Sequence, residues 1–154
     1  MAFKFLKGEY TPKNPQKYQG SYPIVYRSGW ELKCMERFDV HPNVVAWQSE
    51  TFTIPYYNPL KRKQTVYVPD FLIKTAINGV EEVVLIEVKP WKEIPGNRRI
   101  SEKTGKPLKM SLKDQAAQAV NAAKWHAAMA FCANRGWRFQ VICERDLFAY
   151  ERKK

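Results

Sequence analysis

An Asn78-Gly79 pair separates two runs of strand-forming residues, TVYVPDFLIKTAI before it and VEEVVLIEVKP after it. Asn-Gly supplies the two positive-φ positions of a tight hairpin turn and is the strongest short hairpin signal a sequence offers. A two-residue turn sets Ile77 against Val80, and counting back along both strands places Asp70 opposite Glu87. Directly opposed residues have β-carbons about 4.5–5.5 Å apart, and like charges there repel. Strand alternation puts Val83, Leu85, Glu87 and Lys89 on one face and Val84, Ile86 and Val88 on the other. Both faces read as buried up to Glu87, so this acid ends an apolar face and needs a partner. Pro69, within a run that otherwise pairs, points to an edge or a bulge.

Two chemistries relieve facing carboxylates. A hard divalent cation such as Mg²⁺ takes carboxylate oxygens and keeps room for water and substrate phosphate. Lys89, two residues past Glu87, then stands where it can neutralise a pentavalent phosphate or orient the attacking water. The other chemistry is a plain salt bridge between Lys89 and either acid. Glu31 is a third acid. It lies three residues after Ser28, the spacing of a capping box, and shares a helical stripe with Met35 and Phe38 that turns it toward the core. Capping and metal binding are compatible roles for it.

The remaining chain frames these residues. Residues 1–27, with Pro12, Pro15, Gly20 and Pro23 among Lys, Tyr and Gln, read as an extended basic arm. A helix runs from Ser28 to His41-Pro42-Asn43, and VVAWQSETFTIPYY (44–57) reads as a strand interrupted near Ser49-Glu50. Residues 58–63 form a basic turn. Residues 90–110 hold three prolines, two glycines and many cations, which marks a long functional or mobile loop. Ser111 caps a helix that Gly136 ends, and residues 137–143 form a last strand. Gln118, Asn121 and Lys124 make a polar stripe on that helix, facing the site, DNA or solvent. His41 reads as a turn residue and His126 as packed. This order gives an α/β (α+β) single domain, residues 28–154, with a mixed central sheet.

Lys and Arg number 26 against 15 Asp and Glu, a net charge of +11, which favours a polyanionic partner, nucleic acid first. With 45% hydrophobic residues the chain has material for a core, which excludes a wholly disordered basic protein. No stretch of about eighteen uncharged apolar residues offers a membrane span. Cys34, Cys132 and Cys143 show no metal spacing and read as reduced core thiols of a cytosolic protein. No phosphate-binding P-loop is present.

Val68-Pro69-Asp70 followed by Ile86-Glu87-Val88-Lys89 resembles the PD-(D/E)xK nuclease signature, and Glu31 matches the additional acid of many members. YRSGWE (26–31), VVAWQSETFTIPYYNP (44–59), YVPDF, IEVKP and RGWRFQVICE (135–144) are similar to the head completion nucleases of T-even-type tailed phages. Transposon-end-cleaving endonucleases share YRSxxE-like and Glu-x-Lys-Pro elements. The resemblance implies a restriction-endonuclease-like core in the order α-β-β-β-α-β. It implies Mg²⁺, with Mn²⁺ able to substitute, on Asp70, Glu87 and Glu31. It further implies Lys89 in catalysis, and Arg27 and Ser28 at the scissile strand of double-stranded DNA. By the same likeness the protein acts in the host bacterial cytoplasm during assembly, or in the virion, securing or processing packaged DNA beside portal or neck proteins. Lys92, Arg98 and Arg99 of the loop, with Lys124, are the expected DNA contacts. A non-catalytic DNA-end or portal plug and a transposon-end endonuclease subunit are the competing readings.

Overall fold

In the computed structural model, which describes residues 6–147, the chain opens with β1 (Gly8–Tyr10) paired antiparallel to β2 (Ile24–Tyr26). Helix α1 (Gly29–Val40) and β3 (Val44–Ser49) follow. Two hairpins come next, β4 (Ile54–Asn58) with β5 (Lys63–Tyr67) and β6 (Phe71–Ile77) with β7 (Val80–Val88). The 22-residue helix α2 (Leu112–Ala133) then crosses over to β8 (Arg138–Ile142), which lies parallel to β7. The central sheet has the order β3-β6-β7-β8 and is mixed, with helices on both faces. No helix among the described residues is long and apolar enough to cross a membrane.

The Asn78-Gly79 turn has φ of +51° and +79°, as a tight hairpin turn requires, and sets the register expected from it. Ile77 faces Val80, and the ladder runs unbroken to Phe71 opposite Ile86. Val84, Ile86 and Val88 of β7 pack with Cys34, Met35 and Phe38 of α1, and with Trp47 and Phe71. Leu85 points the other way, against Ala128 and Cys132 of α2 and Tyr56 and Tyr67. One strand thus belongs to two cores. Its nine residues bring the chain to Glu87 with apolar contacts on both sides.

Several expectations need correction. The run 44–57 is two strands in two sheets, and 65–77 divides into β5 and β6 around Val68-Pro69-Asp70. Pro69 has no N–H to give a ladder, and the Asp70 carboxylate takes the Val88 N–H at 2.7 Å in place of a backbone carbonyl. The α-β-β-β-α-β core survives this, with β4–β5 inserted as a separate ribbon.

The N-terminal segment is also no loose arm. Tyr18 and Ile24 are buried in the α1 core, and Gln19 N–H bonds to the Trp47 carbonyl at 2.9 Å. Asp39, fully buried near the end of α1, holds it. Its carboxylate accepts from Tyr10 Oη at 2.6 Å, Lys13 N at 2.7 Å and Asn14 N at 2.9 Å. Residues 1–5 and the basic tail Arg152-Lys-Lys154 lie outside the described residues.

The 90–110 loop is folded on itself. Ile100 bridges Pro107, Ser101 N–H bonds to the Lys106 carbonyl, and Leu108 N–H bonds to the Arg99 carbonyl. The polar stripe of α2 supplies its anchor: Gln118 Nε2 donates to the Lys92 and Asn97 carbonyls, each at 2.8 Å, and Asn121 Nδ2 donates to the Glu93 carbonyl at 2.9 Å. These three carbonyls have no strand or helix to pair with, which is why amide side chains stand opposite them. His126 is exposed rather than packed, and His41 Nδ1 accepts from Asn43 N in the turn after α1.

Burial alone would raise the Asp39 carboxyl, but the donors from Tyr10, Lys13 and Asn14 outweigh it and hold it below the usual range. A depressed carboxyl stabilises the fold above its ordinary pKa, and that contribution fades as pH falls through its folded value. Asp39→Ala should therefore cost about 3 kcal/mol in urea unfolding at neutral pH, because it strands buried backbone donors. A loss below about 1 kcal/mol would show that the N-terminal segment is held by its apolar contacts alone.

Candidate active site

Four acids meet where α1, the end of β3, the start of β6 and the end of β7 come together. Ser28 is the N-cap of α1, its Oγ accepting from Glu31 N–H at 3.1 Å and donating to Glu31 Oε2 at 3.1 Å. The carboxylate of Glu31 reaches back to the Arg27 N–H at 3.2 Å, so the capping box closes one residue further out than the usual pattern. Asp70 precedes β6 and is anchored by the Val88 N–H. Glu87 is buried beside it, one step past the Phe71–Ile86 pair of the ladder, where the register sets the two acids face to face.

The fourth acid, Glu50, was not among the expected site residues. It follows β3 with φ +48°, a left-handed conformation that costs a non-glycine residue about 1 kcal/mol. It is held there by its own N–H to the Asp70 carbonyl at 3.1 Å and by a two-pronged pair with Arg27, both N–O distances 3.0 Å. The sequence carried one trace of it, the break in strand pattern at Ser49-Glu50. Carboxylate oxygens of Glu31, Glu50 and Asp70 all lie within 4.8 Å of one another.

The electrostatics are those of crowded acids in a partly dry site. Burial first, and then the Asp70 charge, push the Glu31 carboxyl up to about 7. Burial and the neighbouring Glu87 raise Asp70 well above the carboxylate range, against the pull of the Val88 N–H and the Lys89 charge. The buried Tyr67 hydroxyl has no hydrogen-bond partner among the described residues and is raised by burial and by the Glu87 charge. Lys124 reaches the same place from α2, its Nζ 5.8 and 5.6 Å from the Tyr56 and Tyr67 ring centres. Burial and the like charge of Lys89 lower it, while Glu87 and Asp70 act the other way.

Of the expected residues, Glu31, Asp70 and Glu87 lie together, with Lys89 and Lys124 near enough for their charges to act on the acids. Ser28 and Arg27 adjoin them, but the Arg27 guanidinium is committed to Glu50. Lys92, Arg98 and Arg99 belong elsewhere. They line a pocket of about 300 Å³ with Trp91, Lys109 and the start of α2, and none of the four acids lines it. Lys92 Nζ stands 3.8 Å from Asp114, and Arg98 Nε donates to the Leu108 carbonyl at 2.6 Å.

The donor set fits a hard divalent cation. Glu31, Glu50 and Asp70 offer oxygens within 4.8 Å of one another, and oxygens on opposite sides of an octahedral Mg²⁺ are about 4.2 Å apart. Protons occupy the site when metal does not. A carboxyl whose folded pKa lies above its unfolded value costs stability as pH rises through the interval between them. For Glu31 that interval runs from 4.5 to about 7. In EDTA the melting temperature should therefore fall by roughly a few degrees between pH 5 and pH 8, and Mg²⁺ or Mn²⁺ should recover much of the loss. Glu31→Gln and Glu50→Gln should each weaken that recovery, and Glu9→Gln, on β1, should not. A melting temperature that neither falls with pH nor responds to metal would contradict the cluster's proton and cation linkage.

Comparison with known proteins places the chain among nucleases. The TnsA-like endonuclease N-terminal family model matches residues 41–144, a span that holds Glu50, Asp70, Glu87, Lys89 and Lys124. The head completion nuclease of Enterobacteria phage T4 is 35% identical over 143 residues, covering 92% of this chain and 93% of that protein. No solved structure gives a significant match. On a family match over most of its length, the chain belongs to the TnsA-like endonucleases, and it is similar along nearly its whole length to a phage head completion nuclease.

Proposed function

We propose that this protein is a divalent-metal-dependent endonuclease that hydrolyses phosphodiester bonds of double-stranded DNA while a phage head is completed. The observation that carries the reading is the convergence of Glu31, Glu50 and Asp70, with the buried Glu87 facing Asp70. Acids gathered this closely repel phosphate unless a cation intervenes, so a non-catalytic DNA plug has no use for them. The likeness to a head completion nuclease over most of the chain supports a role in head completion; we place that role late, on packaged DNA in the host cytoplasm, next to portal or neck proteins.

Asp70, Glu87 and Glu31 would hold Mg²⁺ or Mn²⁺, with Glu50 widening the donor set. Such an ion supplies Lewis-acid stabilisation of phosphate charge and a water of lowered pKa. The chain's own groups do the rest. Ser28 Oγ and the Arg27 N–H fix the orientation of Glu31, and the Val88 N–H fixes Asp70. Arg27 restrains Glu50. Lys89 puts an ammonium where negative charge grows on the phosphoryl oxygens. Lys124, partly desolvated between Lys89 and the tyrosine rings, adds a second cation on the α2 side.

Plasmid nicking with Mg²⁺, Mn²⁺ and EDTA tests the reading. Strand breaks should need metal, and Asp70→Asn and Glu87→Gln should abolish them while the metal-free fold keeps or gains stability, since each relieves carboxylate repulsion. Metal-independent cutting, or mutants that cut normally, would refute the metal site. Lys89→Met should slow cleavage roughly a hundredfold with little change in DNA affinity if the ammonium acts on the transition state. A salt-bridge role would instead lower the melting temperature and leave the rate of the folded fraction unchanged.

A further inference from the structure

The β4–β5 ribbon stands outside the central sheet and has two unlike sides. Its inner side, Ile54, Tyr56 and Tyr67, is buried against α2 and borders the acid cluster through Lys124 and the Tyr67 hydroxyl. Its outer side pairs Pro55 with Val66 and Tyr57 with Gln64, and all four are exposed. Val68 continues that side, and β5 then passes through Pro69 directly into Asp70. At the far end stand Leu60, Lys61, Arg62 and Lys63, all exposed. Asn58 Oδ1 accepts the Leu60 and Lys61 N–H groups at 2.9 and 3.0 Å, and Arg62 has φ +52°, so the tip is a defined turn.

The charge on this ribbon is one-sided. No Asp or Glu occurs from Thr51 to Pro69. Among the described residues, no ion pair engages Lys61, Arg62 or Lys63. Three unpaired cations on a rigid tip, beyond a small patch of Tyr57, Val66 and Val68, complement phosphates on both sides of a groove better than they complement a protein surface. Five residue pairs make a ribbon about 17 Å long, and a two-stranded ribbon fits the major groove, about 12 Å wide.

We propose that β4–β5 is a DNA-binding arm: the ribbon lies along a groove of the duplex, Lys61, Arg62 and Lys63 hold backbone phosphates, and the attachment at Asp70 fixes the offset between those phosphates and the cut. This rests on the nuclease reading above. The arm extends the contact about five base pairs to one side of the scissile phosphate, at 3.4 Å per step. Its cations position the duplex and carry no sequence information.

The test measures binding of a 24-base-pair duplex by fluorescence anisotropy in EDTA, across salt, for wild type and for Lys61→Ser/Arg62→Asn/Lys63→Ser. Asn tolerates the left-handed conformation at position 62. Loss of three phosphate contacts should lower the slope of log affinity against log salt by about 2.7. With Mg²⁺ added, KM for duplex should rise and kcat should hold, and the melting temperature should stay at the wild-type value. Tyr57→Ala, a second variant that leaves the tip cations in place, should weaken duplex binding without changing the slope. Wild-type binding and cutting with a variant of parallel slope and equal affinity overturns the arm alone. A wild type that binds no duplex overturns the nuclease reading with it. A triple variant that binds and cuts as wild type but fails to complete heads assigns the ribbon to a protein partner and overturns the proposal.

Discussion

The facing of Asp70 and Glu87 is the constraint around which the site is arranged. It lies one step beyond the β6–β7 ladder, where the register would place the next facing pair. Burial and the facing Glu87 hold the Asp70 carboxyl well above its ordinary range, and the Val88 N–H anchors it in place. Once they are fixed, Glu31 and Glu50 have little freedom. Glu31 is aimed by the cap of α1, and Glu50 by a strained turn whose N–H is tied to the Asp70 carbonyl. Donors from the surrounding backbone and side chains therefore hold Glu31, Glu50 and Asp70 together against their mutual repulsion.

This arrangement needs a stiff support, and the twofold packing of β7 provides it. Val84, Ile86 and Val88 bind the strand to α1 and the N-terminal segment, while Leu85 binds it to α2 and the β4–β5 ribbon. Moving Glu87 would require shifting side chains in both cores, and densely packed interiors resist such shifts. The N-terminal clasp on Asp39 serves the same end from further away, since it pins the segment that covers Trp47.

Helix α2 joins the two cationic regions of the molecule. Gln118 and Asn121 hold the carbonyls of the 90–110 loop, and Lys124, one turn on, enters the acid site. The loop's cations are drawn partly into the protein, Lys92 toward Asp114 and Arg98 onto a carbonyl, whereas no ion pair among the described residues engages the three at the ribbon tip. Net positive charge is thus spread over several surfaces that differ in how firmly their cations are held.

The sequence by itself determined the hairpin, its register and the meeting of Asp70 with Glu87, because a two-residue turn leaves strand pairing one solution. It also determined α1 with its Ser28–Glu31 cap and α2 with Gly136 beyond its end, since these signals lie within a few residues of one another. Only the tertiary structure decided where β4–β5 sits, because strand-forming residues do not say which sheet they join. It alone brought Glu50 to the acids, through a turn set by the Asp70 carbonyl 20 residues away. It alone turned the N-terminal segment inward, through a buried aspartate some 25 residues on. Local periodicity reports what a segment can form. Which distant partner satisfies a buried carboxylate or an unpaired N–H is settled only when the whole chain has packed.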